Sequence, residues 1–305
     1  MDSSTNLKVA LVGDSVLDNH FWLDRPAEDV RAQTENSLRQ AYPSRNVEVL
    51  NFAVDESTVS CVLRGRTPAS CYQRGRRNAN MEPYPKDEDG VVRPLNLLRE
   101  ANPTHVVLSI GGNDARARFL QSRDPDVITE LMVNDGFVSN LRRLVEFITA
   151  EVTSNIILVY VYMPQLKMIP ILSCLPPASI LQRLLVNFSK FFIEIANDHC
   201  LPSIDLSRTF DPNKNSHYGT TPIEPSNLSG QLIADLILKA SPPRCFESGR
   251  IFRFGEENAG KVFSGANENA RVQDLAPDAG FSYAQEFQAF LDSKRVKKST
   301  SCVIG

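Results

Sequence analysis

Lys8-Val9-Ala10-Leu11-Val12-Gly13-Asp14-Ser15 is five mostly apolar residues, then a glycine and two small polar residues. It reads as a short buried strand that stops at Gly13 and exits into a polar loop. The segments after it repeat that rhythm. Glu28 to Ala41, with Pro26 close to its start, reads as a helix, and Val47 to Ala53 as a second strand. Thr104 to Ile110 is a third strand, β-branched and apolar, stopped by Gly111-Gly112. Val138, Leu141, Leu144, Val145 and Ile148 recur at helical spacing. Asn155 to Met163 is a continuous apolar strand closed by Pro164. A long helix over Ile180 to Asn197, a strand at Ser203 to Leu206 and a helix over Leu228 to Leu238 complete the series.

Strands that are apolar on both faces and alternate with helices predict an α/β fold. Its parallel, doubly wound sheet is covered on both sides to make three layers. Functional loops then gather at the carboxyl ends of the strands. Those ends are Gly13-Asp14-Ser15, Asp55-Glu56-Ser57, Gly111-Gly112-Asn113-Asp114 and the stretch after Leu206.

Composition narrows the function classes. The chain has 305 residues, 42% of them hydrophobic and 23% charged, which suits one large domain with a small appendage. The formal net charge of −3 gives no basic field for nucleic acid. No apolar run reaches the roughly 18–20 residues of a membrane span. Met1 to Asn6 lacks the basic and apolar regions of a signal peptide, which predicts a cytoplasmic protein. The six cysteines are scattered, without a CxxC pair or a Cys/His cluster, and read as reduced thiols with no metal site.

Two regions leave the rhythm. Residues 61–92 form an inserted segment carrying Arg64, Arg66, Arg74, Arg76 and Arg77, then Asp87-Glu88-Asp89. It reads as a solvated loop or as a lid whose arginines meet an anionic partner. After a domain spanning 1–243, residues 244–305 form an extension. It has strand-like pieces at Ile251 to Phe254 and Lys261 to Phe263, a helix near Ala284 to Leu291, and a basic tail. Lys294-Arg295-Val296-Lys297-Lys298 before Cys302-Val303-Ile304-Gly305 has the shape of a prenylation signal, a membrane route through Cys302. Glycine is an unusual last residue for it, and the alternative is an incidental tail cysteine.

Taken singly, the loop motifs have ordinary readings. Ser15 after a strand can be a helix N-cap, and Gly111-Gly112-Asn113 can be a left-handed turn. In this order and at these strand ends they resemble the SGNH or GDSL hydrolase family. Val12-Gly13-Asp14-Ser15-Val16-Leu17-Asp18-Asn19 looks like its first block, and Ser109-Ile110-Gly111-Gly112-Asn113-Asp114-Ala115 like its third. Pro222-Ile223-Glu224-Pro225-Ser226, followed by Gly230 and Leu232-Ile233-Ala234, resembles a subgroup whose last block reads I-E-P-S. The resemblance spans about residues 7–240. It implies a flavodoxin-like fold and hydrolysis of a small ester or acyl substrate without a cofactor.

Carried over by position, Ser15 is the nucleophile and Asn113 a side-chain oxyanion donor. Asp14, Gly112 and Glu56 belong to the substrate site by the same carry-over. Glu56 stands where the second block ordinarily has a glycine. The aspartate-x-x-histidine of the last block is replaced by Glu224-Pro225-Ser226-Asn227, so Glu224 can orient a base but Asn227 cannot be one. Four histidines remain as substitutes. His105 opens a strand at the edge opposite the site, and His199 lies near a helix C-terminus, so both read as structural. His20 follows Ser15 closely. His217, in the loop before Glu224, is the best-placed relocated base. The sequence therefore leaves two readings, a serine hydrolase or a binding protein that kept the fold without turnover. It says nothing of oligomeric state.

Overall fold

The computed structural model describes residues 6–65, 91–119, 121–165 and 177–242, with the backbone of 251–254 and 262–264. Most of the 61–92 insertion, including Arg66 to Arg77 and the acidic run, lies outside these residues. So do the helix expected near Ala284 to Leu291, the basic tail and Cys302.

The first strand, β1, runs Leu7–Gly13 and pairs in parallel with β2 (Val47–Asn51) on one side and β3 (His105–Ser109) on the other. Next come β4 (Ile156–Tyr160) and β5 (Ser203–Asp205), both parallel. Two short pieces extend the sheet: β6 (Ile251–Phe254) lies parallel to β5, and β7 (Val262–Ser264) antiparallel to β6. The order β2-β1-β3-β4-β5 is that of the flavodoxin type, with its switch point between β1 and β3.

Strand alternation sends each residue set to a different layer. On one face Ala10, Val12, Val106, Leu108, Ile156 and Leu158 are buried. Against them pack α2 (Val59–Arg64), α3 (Pro94–Ala101), α4 (Gly112–Arg118), α5 (Pro125–Asn134), α6 (Phe137–Glu151) and α7 (Ala178–Asp198). On the other face Val9, Leu11, Val107, Ile157 and Val159 meet Val30 and Leu38 of α1 (Val30–Ala41) and Ile233, Leu236 and Ile237 of α8 (Asn227–Ala240). Each large aliphatic side chain so buried contributes roughly 1.5–3 kcal/mol relative to exposure. This explains why the central strands read as unbroken apolar runs. The expected three-layer, doubly wound α/β fold is the observed one.

Helix ends are set locally. Asp29 caps α1 by accepting the Ala32 N–H at 2.7 Å, and Ser226 caps α8 by accepting the Ser229 N–H at 3.1 Å. The end of α7 is a Schellman motif: Leu201 N–H reaches the Ala196 carbonyl at 2.8 Å and Cys200 N–H that of Asn197 at 3.4 Å. Its left-handed residue is Cys200, at φ 55°, where glycine is usual. A side chain in that conformation costs roughly 1–2 kcal/mol. Cys200→Gly is therefore expected to stabilise the protein by about 1 kcal/mol, raising Tm by roughly 2–4 °C in thermal unfolding.

Candidate active site

The switch point puts Gly13 of β1 and Ser109 of β3 side by side. Asp14 N–H donates to the Ser109 carbonyl at 3.1 Å, which turns the chain out of the sheet. Asp14 Oδ1 then accepts the Val16 N–H at 3.2 Å, while the Asp14 carbonyl accepts the Leu17 and Asp18 N–H groups. Ser15 is thus the first residue of a helical turn, where N–H groups lack intrahelical partners. Among the described residues nothing accepts the Ser15 N–H, and its hydroxyl makes no hydrogen bond.

The rest of the first block fixes the neighbouring loops. Asp18 Oδ2 accepts the Asp55 N–H at 2.9 Å. Asn19, fully buried, donates from Nδ2 to the Pro225 carbonyl at 3.4 Å and accepts the Val30 N–H at 3.0 Å. These positioning roles were hidden in the sequence because their partners lie up to 206 residues away. Glu56 sits in the left-handed region at φ 62°, so a non-glycine residue holds a backbone that glycine would take without strain.

Gly111, at φ 117°, starts α4, and its Cβ-free face approaches Phe137. Asn113, two residues on, donates from Nδ2 to the Ser57 carbonyl at 3.1 Å. Asp114 accepts the Val59 N–H at 3.1 Å and so caps α2. Burial pushes its carboxyl up to about 6, against the Val59 and its own N–H bonds, which lower it. The unfolded value is near 3.8, so between about pH 4 and 6 the folded state binds more protons, and stability falls as pH rises. Asp114→Asn keeps an oxygen for Val59. It is expected to gain on the order of 1 kcal/mol at pH 7, the difference closing by pH 4, as urea unfolding at both pH values reads directly.

Glu224 is held from both sides. Its N–H donates to Thr221 Oγ1 at 3.1 Å and its carbonyl accepts the Gly219 N–H at 2.8 Å. A bridge between Tyr218 and Pro225 joins the two segments. Tyr162 closes the wall behind, its hydroxyl donating to the Ile223 carbonyl at 2.5 Å. Burial, then Glu224, Tyr218 and Asp14, hold that phenol well above its usual range, so it stays neutral.

These elements line an open cleft of about 130 Å³. Asp14, Ser15, Gly112, Asn113 and Glu224 line it, together with Asp55, Arg116 and an apolar wall. Burial drives the Asp14 carboxyl well up, opposed by the Val16 N–H and reinforced by Glu224, Asp114 and Asp55. Burial thus favours the neutral, protonated form of Asp14.

The lining does not include Glu56, and it includes no histidine. His217 is buried against Phe210, and its Nδ1 accepts the Asp211 N–H at 2.8 Å, so the neutral ring carries its proton on Nε2. Its carbonyl accepts the Ser226 N–H and the Ser229 hydroxyl. His20 bonds Asp29 at 3.2 Å, which raises its pKa, and His105 is tied between Thr104 and the Ser241 carbonyl. Asn227 donates to the carbonyls of Arg25 and Glu28. Among the described residues no group of three or more His, Cys, Asp or Glu side chains could hold a metal. No described helix is long and apolar enough to cross a membrane.

A lipase from a goat rumen metagenome superposes with TM-score 0.54 at 12% identity, over 79% of this chain and 100% of that one. This chain has that lipase's fold. A lipase/acylhydrolase from Enterococcus faecalis (TM-score 0.46, 18% identity, 76% of this chain and 94% of that one) is also similar. So is an acetyl xylan esterase from Geobacillus stearothermophilus (0.46, 19%, 81% and 97%). No protein-family model and no curated protein matches the sequence. At these identities the likeness is one of fold, and the chemistry rests on the cleft itself.

Proposed function

We propose that the protein is an SGNH-type serine hydrolase, of the I-E-P-S subgroup, acting on a small ester. The observation that carries this is one cleft lined by Ser15, Asn113 and Glu224, with the Ser15 N–H free of acceptors among the described residues. Ser15 Oγ attacks the acyl carbonyl, and its proton passes to Glu224. The oxyanion that forms is met by the Ser15 N–H and the Asn113 amide. The C–O bond to the alcohol then breaks, with the proton going to the leaving alkoxide. Water repeats the sequence on the acyl-serine and releases the acid.

A carboxylate is a weaker base than imidazole toward a hydroxyl, and a well-matched base contributes about 10²–10⁴-fold. Turnover is therefore slow. His217 serves as a positioning residue, its carbonyl holding Ser226 beside Glu224.

The test is a fluorophosphonate reagent. Labelling of the wild type, none of Ser15→Ala, and labelling at least about 10²-fold slower in Glu224→Gln are expected. An unlabelled wild type would overturn the reading. It would leave the second one, a ligand-binding protein, which the lack of a histidine among the described cleft residues favours.

A further inference from the structure

Beyond Ser15 and Asn113 the cleft turns apolar. Leu181, Leu184, Leu185 and Phe188 line it from α7. Their spacing of i, i+3, i+4 and i+7 places them on one face of that helix. Val161 and Met163, past the end of β4, also line it. Leu181, Leu184, Phe188 and Met163 are buried in the core, whereas Leu185 and Val161 are only partly buried and pack against it. The core thus opens into the same cleft that Ser15 lines.

A ligand whose carbonyl is fixed at Ser15 must extend along this wall. A hydroxyl-rich acyl or sugar group would leave its polar atoms facing leucine and phenylalanine without partners. An alkyl chain would gain by burial.

We infer that the α7 face formed by Leu181, Leu184, Leu185 and Phe188 is an acyl-chain subsite, selecting esters whose acyl group is an alkyl chain. Turnover of such esters rests on the hydrolase reading above; occupancy of the subsite does not.

Two measurements separate them. With p-nitrophenyl acetate, butyrate and hexanoate, kcat/KM is expected to rise roughly threefold to fourfold per added methylene. With Ser15→Ala, the affinity for 2-butanone, 2-hexanone and 2-octanone, read by ligand-observed NMR, is expected to climb at a similar rate. Leu185→Trp fills the groove and is expected to bring both slopes below about twofold per methylene. Should it fail to fold, Val161→Thr, which keeps the shape but adds a hydroxyl, is expected to flatten them too. Slopes that are flat in the wild type, or unchanged in the variants, overturn the subsite. Climbing ketone affinity without ester turnover sinks the hydrolase reading and leaves the subsite standing. Turnover with a flat slope does the reverse.

Discussion

Gly13→Ala is expected to prevent stable folding. A Cβ at Gly13 would lie 1.6 Å from the Ser109 carbonyl oxygen and 2.6 Å from its carbon. The obstacle is backbone, and it cannot move aside. Ser109 is the last residue of β3, in register with Gly13, and its oxygen already accepts the Asp14 N–H. The φ of 139° is a second barrier to any L side chain. Losses above about 4 kcal/mol come from a short set of mechanisms, and a forced backbone clash between two central strands belongs among them. A domain of ordinary stability, about 5–15 kcal/mol, has little left after such a loss. Urea unfolding followed by circular dichroism is the measurement; a midpoint near that of the wild type would show that the β1–β3 contact is looser than described. The same glycine lets Asp14 turn and Ser15 face the cleft, so fold and site depend on one missing methyl group.

The sequence was legible wherever a physical signal was local. Val9 and Leu11 face one layer and Ala10 and Val12 the other, so an apolar run with no alternation announces a central strand. Short helices were not legible. Gly112–Arg118 holds almost no apolar residue apart from alanine, and Val59–Arg64 spans under two turns. The turn at the end of α7 carries no glycine to mark it, since Cys200 takes that role. In the site, Asp14, Ser15, Gly112 and Asn113 were readable from motifs at strand ends and Glu224 from the motif just before α8, and all line the cleft. Tyr162, Asp55 and the α7 stripe were not, because they reach the cleft only through the packing of distant elements. The stripe had a signal in the spacing of Leu181, Leu184, Leu185 and Phe188, but that spacing equally describes a face buried in the core. His217 shows the opposite limit. Closeness in the chain to Glu224 suggested a base, yet its ring turns to the Asp211 N–H, a contact no spacing rule conveys.

Asn113→Asp is expected to cut the rate of fluorophosphonate labelling by about 10²–10³-fold, the usual effect of losing one oxyanion donor. The Asn113 amide has two protons, and one is committed to the Ser57 carbonyl at 3.1 Å. The second is available to an oxygen developing at Ser15, within the same cleft. Aspartate keeps the shape but has neither proton. It would set a new carboxylate against the Ser57 carbonyl, in the cleft that Ser15 lines. Two effects then act together: the oxyanion loses a donor, and it forms in a more negative field. Asn113→Ala separates them, because it removes the donor without adding charge. If donation is what matters, both variants label slowly, with Asp the slower. If charge alone matters, Ala labels at nearly the wild-type rate, which would remove Asn113 from the oxyanion site. Folding distinguishes the Ser57 contact from the chemistry. Leaving that carbonyl without its donor costs about 1–3 kcal/mol, so both variants also unfold at lower urea concentration. The labelling rates are therefore compared at a temperature where each variant is fully folded, and a residual gap of a hundredfold or more belongs to the second proton of the Asn113 amide.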